Sequence, residues 1–547
     1  MTVGRPGEQN VRRARLVLTA SVILAACAEP VPDAEPVDGG VQQLGPADLL
    51  FSGGRVLDGA GNPWVNADVA VAADRITFIG DAASAGVSAR DTIDVTGLLV
   101  TPGLWDAHSH AEIETEAGRT ALPYIHQGIT TVVLGVDGGG SNGIQNIFAQ
   151  YERDGIGVNA LRFVGHGPAR TAAMGVADRE PTAGELQVMK DYIERAMQEG
   201  AFGLSTGLFY SPGYFARTDE VIELNRVAAR YGGIYDTHDR DLGAAWRGIG
   251  FIASMEEAIE IGETAGTPVI FSHLNPQGAH NRGRADEAAR LVEAARARGV
   301  NVMAAQHPYT ASQARLAAYA VPRWVVEGSS DEMRARFKDP EVQRRLDIET
   351  TEMIEIRGGP GKIVVVGSEA ELNGKTLAQL ATEWNVPVPA AVRRILETTN
   401  PFVMNLDLYD IDNTRFLATR EWMMSCTDGR TPAPGQDVVH PRVYGALPRK
   451  IRLFVREEPV ISMPFAIRGM ASLPATFFGV SDRGQIREGW YADIAVFDEA
   501  GITDMATHDE PHQHSRGVVH LLVNGQFAIR NGEATLALAG RPIRRGD

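Results

Sequence analysis

The chain has 547 residues, of which 44% are hydrophobic and 22% are charged, a composition typical of globular proteins. At about 100–200 residues per domain, this length predicts two to four domains. The 52 Lys and Arg residues against 69 Asp and Glu residues give a formal net charge of −17, which argues against nucleic acid as a partner. Only two cysteines, Cys27 and Cys426, are present, which excludes a disulfide framework and a cysteine-rich zinc ribbon.

The first residues have the pattern of a targeting segment. Arg12, Arg13 and Arg15 precede an apolar run over residues 16–26 that is too short to span a bilayer. The run ends in Leu-Ala-Ala-Cys at Cys27 and resembles the lipobox of bacterial lipoproteins, whose cysteine is lipidated and becomes the mature N-terminus. We therefore expect a lipoprotein signal peptide over residues 1–26, a flexible tether over 27–47, and a membrane anchor in the cell envelope facing the periplasm. An ordinary cleavable signal is the alternative.

Short runs with strand character occur near both ends of the chain, separated by turn signals such as Gly53-Gly54. Strand pieces at both ends of a long middle segment predict one small β-sandwich domain, built from residues 48–100 and 471–547. The runs are residues 49–51, 68–71, 75–79, 492–497 and 518–524.

The middle of the chain, residues 101–470, repeats strand–helix units. About eight such units predict an α/β fold, a (β/α)8 TIM barrel whose site lies at the C-terminal ends of the strands. Residues 312–400 are mostly helical, with one strand-like run over 363–366, and predict a helical insertion over the barrel mouth. The barrel strand candidates are residues 130–135, 160–164, 202–205, 233–237, 268–273 and 300–304, and helix candidates include 183–198, 218–231 and 285–298.

Five side chains with metal-ligating chemistry stand at predicted strand ends. His108 and His110 are two residues apart, so that an extended strand turns both to one face. His238 and His273 each end an apolar strand, and Asp428 follows one. Imidazoles and carboxylates are the ligands of borderline metals such as zinc. A second pair, His512 and His514, lies in a polar stretch and is interpreted as solvated.

Six motifs carry a resemblance to a known family. The chain resembles the amidohydrolase superfamily and, more narrowly, the N-acyl-D-amino-acid deacylases (D-aminoacylases), over nearly all of residues 48–540. The motifs are TPGLWDAHSH (101–110), QGITTVVLG (127–135), GAFGLSTGLFYSPGYFA (200–216), GGIYDTHDRD (232–241), FSHL (271–274) and CTDGR (426–430).

The resemblance implies a metal-dependent enzyme that hydrolyses a linear amide bond. Its implied substrates are N-acyl-D-amino acids or peptides with a D-residue at the C-terminus, and its implied cofactor is a divalent metal, one or two zinc ions. It implies that His108, His110, His238 and His273 are metal ligands and that Asp428 is both a ligand and the catalytic aspartate. Asp428 would orient or deprotonate the attacking water and then deliver the proton to the leaving nitrogen.

The chain departs from the family at one metal ligand. The family commonly has a metal-binding cysteine after the strand that here ends at Gly135, and in this chain that place falls on Asp137. None of the chain's five lysines ends a predicted barrel strand, so a carboxylated lysine is not expected. We therefore expect Asp137 to bridge the metal ions, which would also suit manganese or cobalt. The alternative is that Asp137 merely begins a glycine-rich turn.

A second departure concerns the substrate. The family often has a lysine two residues after the histidine that matches His273, and here that residue is Asn275, which cannot supply a charge. Tyr210 matches the family's substrate tyrosine. The remaining candidate substrate contacts are Tyr309, Arg240 and Arg442.

Two other functions stay open at this point. A hydrolase of cyclic or other peptide-like amides is favoured if Asn275 has abolished carboxylate recognition. A surface-tethered binding protein that retains the barrel without catalysis would require lost metal ligands.

Overall fold

The computed structural model describes residues 46–546 except 368, 434 and 437. Cys27, the expected signal peptide and nearly all of the expected tether lie outside the described residues. None of the helices in the described part of the chain has both the length and the apolar character needed to cross a membrane.

Nine strands from both ends of the chain form one folded-over sheet. The strand Leu99–Pro102 pairs antiparallel with Ile494–Phe497, which joins the two ends. The first strand is bulged between Phe51 and Gly54 and pairs with a different parallel strand on each side of the bulge. The sheet therefore curls over a common core that includes Phe51 and Leu522. The strands are Ala47–Val56, Val65–Ala72, Arg75–Gly80, Ala89–Asp94, Leu99–Pro102, Ile494–Phe497, Val518–Val523, Gln526–Arg530 and Glu533–Ala534.

Eight parallel strands follow in the middle of the chain and form the predicted barrel. The ring closes between the first and last of them, where Ala107 donates its backbone N–H to Ser425 at 3.2 Å and Asp428 donates to His108 at 3.0 Å. The C-terminal ends of all eight strands therefore meet at one rim, and the predicted α/β barrel is confirmed. In order, the strands are Leu104–Asp106, Ile129–Leu134, Asn159–Arg162 continued by Val164–Gly165, Gly203–Gly207, Ile234–His238, Val269–His273, Val302–Gln306 and Met423–Ser425.

Amphipathic helices surround the barrel. The helix Ala183–Gln198, for example, begins with a capping box in which Thr182 and Glu185 exchange side-chain and backbone hydrogen bonds. The α-helices of the barrel are Leu122–Ile125, Ile144–Asp154, His166–Met174, Ala183–Gln198, Thr218–Ala229, Phe251–Ala265, Ala285–Ala297, Ile411–Ala418, Arg442–Ile451, Met463–Met470 and Ser472–Phe478.

The insertion lies between the seventh and eighth barrel strands. It contains a three-stranded antiparallel sheet as well as helices, whereas the sequence predicted only the strand Ile363–Val366. The other two strands, Ser312–Arg315 and Phe402–Asn405, have four residues each, too few for a period of two to be visible. The α-helices are Leu316–Ala320, Ser330–Phe337, Pro340–Glu355, Leu377–Glu383 and Val388–Thr398.

A buried polar network joins the β-sandwich domain to the barrel. The carboxylate of Asp493 accepts hydrogen bonds from Asn159 of the third barrel strand at 3.1 Å, from the backbone of Asn524 at 2.7 Å, and from the Arg483 guanidinium. All four residues are buried. Because each polar group in this network has a partner, it fixes the third barrel strand against the sheet.

Replacing Asp493 by alanine therefore leaves the buried Arg483 guanidinium without its carboxylate. We expect Asp493→Ala to lower the free energy of unfolding by about 3–5 kcal/mol. The matched control is Asp91→Ala, which removes an ion pair with Arg530 whose side chains are 42% and 45% exposed, and which we expect to cost less than about 1 kcal/mol. Denaturant unfolding measures both; equal losses would show that the network does not hold the two parts together.

Candidate metal centre

All six predicted ligand positions lie at the barrel rim. His108 and His110 follow the first barrel strand, and Asp137 follows the second. The remaining ligand candidates are His238, the last residue of the fifth strand, His273, the last residue of the sixth, and Asp428, which follows the eighth.

The six side chains form two groups that share Asp137. One group contains His108, His110, Asp137 and Asp428, the other contains Asp137, His238 and His273, and the ligand atoms of each group lie within 4.8 Å of one another. From the Asp137 carboxylate, the nearest ring nitrogens of His108, His110, His238 and His273 lie at 3.5, 3.2, 3.6 and 3.7 Å. Asp137 therefore lies where a carboxylate would bridge two cations.

Unpartnered buried atoms show that this cluster fits a metal. His108 Nε2 and Asp137 Oδ1 are buried and have no hydrogen-bond partner in the part of the chain that the structure describes. His238 Nδ1 and His273 Nε2 lie only 2.8 Å apart, because both point at the same space. Buried polar atoms without partners are costly, and a divalent cation with imidazole and carboxylate ligands would satisfy them together.

The glycine-rich turn is what brings Asp137 to this place. Asp137 has a φ of 53°, in the left-handed region that aspartate tolerates better than most residues. A Cβ on the neighbouring Gly135 would meet the backbone oxygen of Phe163 at 2.4 Å, and one on Gly138 would meet the backbone nitrogen of Gly207 at 2.5 Å. Asp137 thus begins a glycine-rich turn and also faces the histidines, so the two interpretations of this residue are compatible.

Both carboxylates of the cluster are held in the ionised form. Burial raises the pKa of Asp137, but the surrounding His108, His110 and His238 outweigh it and hold that pKa well below its usual range. Burial likewise opposes ionisation of Asp428, whose pKa is nevertheless held well below its usual range, chiefly by Arg442. Ionised carboxylates are the form that binds metal.

Two further aspartates support the ligands from inside the barrel, and the sequence analysis missed both. Asp106 accepts hydrogen bonds from the backbone N–H of Thr427 at 2.7 Å and from its hydroxyl, which fixes the turn before Asp428. Asp236 accepts from Ser205 at 2.6 Å, and one of its oxygens lies 4.0 Å from His108 Nδ1. Burial raises the pKa of each to about 6. Their spacing was a signal, since each stands two residues before a ligand histidine on the same strand face.

A cavity of about 440 Å³ opens above the cluster. Of the five candidate substrate contacts, Tyr210 and Arg442 line it, and Arg442 donates a hydrogen bond to Asp428. Lining residues that the sequence did not indicate include Arg162, Arg315, Tyr319, Tyr409 and Arg430.

The other three candidate substrate contacts do not line this cavity and are engaged elsewhere. Asn275 is buried and accepts hydrogen bonds from Gln306 at 2.9 Å and Thr414 at 3.2 Å. The hydroxyl of the buried Tyr309 donates to the backbone of Pro441 at 3.4 Å. Arg240 forms an ion pair with Glu257 at 2.7 Å and donates to two backbone carbonyls.

A barrel rim with two ligand groups around one shared carboxylate defines the protein as a metal-dependent amidohydrolase. The pattern of the Amidohydrolase family matches residues 410–529. A D-aminoacylase from Alcaligenes xylosoxydans xylosoxydans is 32% identical over 526 residues, which cover 91% of this chain and 98% of the relative. The chain belongs to the amidohydrolase family, in the branch of the D-aminoacylases.

Solved structures agree with this assignment. A D-aminoacylase studied for the functional role of its binuclear metal centre aligns with a TM-score of 0.78 at 30% identity, over 91% of this chain and 100% of its own. An N-acyl-D-glutamate deacylase from Bordetella bronchiseptica, complexed with zinc and a phosphonate inhibitor that mimics the tetrahedral intermediate, aligns with a TM-score of 0.77 at 28% identity, over 91% and 100% of the two chains.

The shared position of Asp137 predicts the effect of changing it. Asparagine also tolerates the left-handed conformation, so Asp137→Asn should preserve the fold while removing the bridging charge. We expect the bound metal, measured by elemental analysis after dialysis, to fall by at least about half, since a neutral amide is a weaker ligand than a carboxylate.

Glu114→Gln is the matched control, because Glu114 lines the cavity but belongs to neither ligand group. Its metal content should equal that of the unchanged protein. An unchanged metal content in Asp137→Asn would contradict the bridging role.

Proposed function

We propose that this protein hydrolyses the amide bond of N-acyl-D-amino acids, including peptides that end in a D-residue, with a divalent metal, zinc, held by the Asp137 cluster. The observation that carries the proposal is the pair of ligand groups sharing Asp137 at the floor of the cavity. The activities named for the D-aminoacylase and N-acyl-D-glutamate deacylase relatives, and the zinc in the latter's structure, support the substrate class and the metal.

A divalent metal held by these residues would supply Lewis-acid chemistry, lowering the pKa of a water molecule toward neutrality and polarising the scissile carbonyl. The chain supplies a proton carrier in Asp428. One of its oxygens is held by Arg442, and the other lies 3.4 Å from His110 Nε2, on the side of the ligand cluster. Held in this way, Asp428 accepts the proton of the attacking water and then donates it to the departing nitrogen.

Tyr210 positions the substrate beside this carboxylate. Its ring centroid lies 4.6 Å from that of the ligand His238, and the side chain forms part of the cavity wall. Its phenol would donate a hydrogen bond to the acyl oxygen as negative charge develops there.

Paired enantiomers test the reaction directly. We expect turnover of N-acetyl-D-amino acids and of dipeptides with a D C-terminal residue, no comparable turnover of the L forms, and loss of activity on treatment with a chelator that zinc restores. Asp428→Asn should lower kcat by about 100-fold or more, because it removes the proton carrier.

Turnover of the L form alone would contradict the substrate assignment. Activity that survives metal removal would contradict the metal-dependent mechanism. Hydrolysis confined to cyclic amides would favour the cyclic-amide alternative, and a chain that binds no transition metal and gains no activity from one would favour the non-catalytic binding protein.

We propose in addition that Cys27 carries a lipid and anchors the protein in the cell envelope, facing the periplasm. The support is the sequence Leu-Ala-Ala-Cys after a short apolar run, followed by a stretch rich in Pro, Glu, Ala and Gly. One acyl chain binds membranes weakly and two bind stably, so a diacylated cysteine would hold the enzyme at the surface.

Cys27→Ser tests the anchor. We expect the unchanged protein to partition with membranes and to incorporate labelled palmitate, and the variant to lose both. Cys426→Ser is the control, since Cys426 is buried beside the eighth barrel strand and should leave partitioning unchanged. Membrane association that persists in Cys27→Ser would contradict the lipid anchor.

A further inference from the structure

The substrate carboxylate has no cation at Asn275. The carboxamide oxygen of Asn275 accepts from Gln306 and Thr414, its nitrogen lies 3.4 Å from the backbone oxygen of His307, and the residue is fully buried. An N-acyl-D-amino acid carries a carboxylate, and moving a carboxylate into a cavity is costly unless a charged partner receives it. That partner must come from another part of the cavity wall.

Four arginines line the cavity: Arg162, Arg315, Arg430 and Arg442. Two of them already have close carboxylate partners. Arg442 is paired with Asp428, and Arg430 is paired with Glu112 through an oxygen at 2.5 Å. Neither has an uncompensated charge to offer a substrate.

Arg162 is also engaged, by the hydroxyl of Tyr151 at 2.5 Å and by Glu114 at 3.9 Å. Arg315 alone among the four forms no ion pair with a carboxylate of the described residues. One of its amino groups donates to the backbone of Asn400 at 2.9 Å, and the guanidinium carbon lies 3.9 Å from the ring centroid of Phe402. The other N–H groups have no partner within the part of the chain that the structure describes.

The surroundings of Arg315 favour an anion. The guanidinium of Arg430 lies 5.1 Å from the same Phe402 ring, and its repulsion of Arg315 exceeds the attraction that Glu112 exerts, so burial and Arg430 together lower the pKa of Arg315. Arg430 also forms a β-bridge with the ligand His110, which places this part of the wall next to the metal cluster. A carboxylate received by Arg315 would offset the repulsion between the two guanidinium groups.

The insertion supplies further positive charge behind the same wall. Arg357 is only 2% exposed and lies 4.7 Å from the ring centroid of the cavity-lining Tyr319. Two of its buried guanidinium nitrogens have no hydrogen-bond partner among the described residues. Arg323 packs on Phe209 at 4.5 Å, and neither arginine forms an ion pair with a described carboxylate. Arg323 and Arg357 therefore add positive charge to this region, which the described carboxylate of Asp241 opposes.

We propose that Arg315 binds a carboxylate of the substrate and supplies the positive charge that the family's lysine provides at the position of Asn275. This inference rests on the proposed function, because it assumes an N-acyl-D-amino acid in the cavity. Two substrate carboxylates have the required chemistry, the α-carboxylate and the side-chain carboxylate of an acidic residue, and the experiment below distinguishes them.

Two substrate pairs, each differing in one carboxylate, test the role. N-acetyl-D-leucine and N-acetyl-D-leucinamide differ at the α-carboxylate, while N-acetyl-D-glutamate and N-acetyl-D-glutamine differ at the side chain. Arg315→Gln should lower kcat/KM about tenfold or more for the charged member of one pair and less than about twofold for its neutral partner, mainly through KM. Arg315→Lys, which keeps a charge, should restore part of the loss.

The pair that shows the difference identifies the carboxylate. Loss in the leucine pair assigns the α-carboxylate, and loss confined to the glutamate pair assigns the side chain. Arg290→Gln is the matched control, since that arginine lies on a barrel helix with its side chain 69% exposed, and it should change none of the four rates. Equal losses for charged and neutral substrates, or no loss, would overturn the proposal.

A binding measurement tests, without turnover, whether Arg315 binds a carboxylate. Glutarate, a dicarboxylate with no amide bond, should bind Arg315→Gln about tenfold more weakly than the unchanged protein in isothermal titration calorimetry. An unchanged Kd would overturn the role of Arg315. If the unchanged protein hydrolyses no N-acyl-D-amino acid, the proposed function fails, and the glutarate comparison alone decides whether Arg315 receives a carboxylate.

Discussion

Every other part of the site is arranged around the half-buried carboxylate of Asp137, which faces four imidazoles. Its oxygens lie 3.2–3.7 Å from four histidine nitrogens. Oδ1 of Asp137 and Nε2 of His108 are buried and have no hydrogen-bond partner among the described residues. Nearly all buried polar atoms in proteins have a hydrogen-bond partner, so two without one require an explanation. A divalent cation held by these side chains would account for their convergence, for the unpartnered atoms and for the ionised state together.

The barrel provides what this arrangement needs. Five different strands bring the six candidate ligands to one rim, so their positions are fixed by several parts of the ring. Close backbone packing at Gly135 and Gly138 leaves no room for side chains and turns Asp137 inward. Asp106 accepts a hydrogen bond from the backbone of Thr427, and Asp236 accepts one from the hydroxyl of Ser205. Such hydrogen-bonded carboxylates next to the candidate ligands are a usual way in which geometry around a metal is maintained.

The sequence predicts most of the metal cluster because its signals are local. The spacing of two between His108 and His110 puts both side chains on one face of any extended strand. His238 and His273 each end an apolar run of the kind that forms a buried strand. Asp137 is predicted from the resemblance, because it stands where the family has a metal-binding cysteine, although only the structure shows that it lies near all four histidines. Asp106 and Asp236 have a sequence signal in their spacing of two before His108 and His238, but that spacing alone does not show which donors hold them, and those donors lie on other strands.

The substrate side of the cavity is less predictable, because its contacts join distant parts of the chain. Tyr309 reaches Pro441, 132 residues away, and Asn275 is held by Thr414, 139 residues away, so neither faces the cavity as the sequence suggested. Arg315 was overlooked because it stands in a four-residue strand of the insertion. Its importance depends on which neighbouring arginines have carboxylate partners, and only coordinates reveal that.

Anomalous X-ray diffraction from crystals grown with zinc tests whether Asp137 and the four histidines bind metal. We expect two metal peaks about 3.5–4 Å apart, one on each side of the Asp137 carboxylate, with histidine nitrogens about 2.0–2.1 Å from the metals. The absence of anomalous density between Asp137 and the four histidines, in crystals that contain zinc elsewhere, would contradict it.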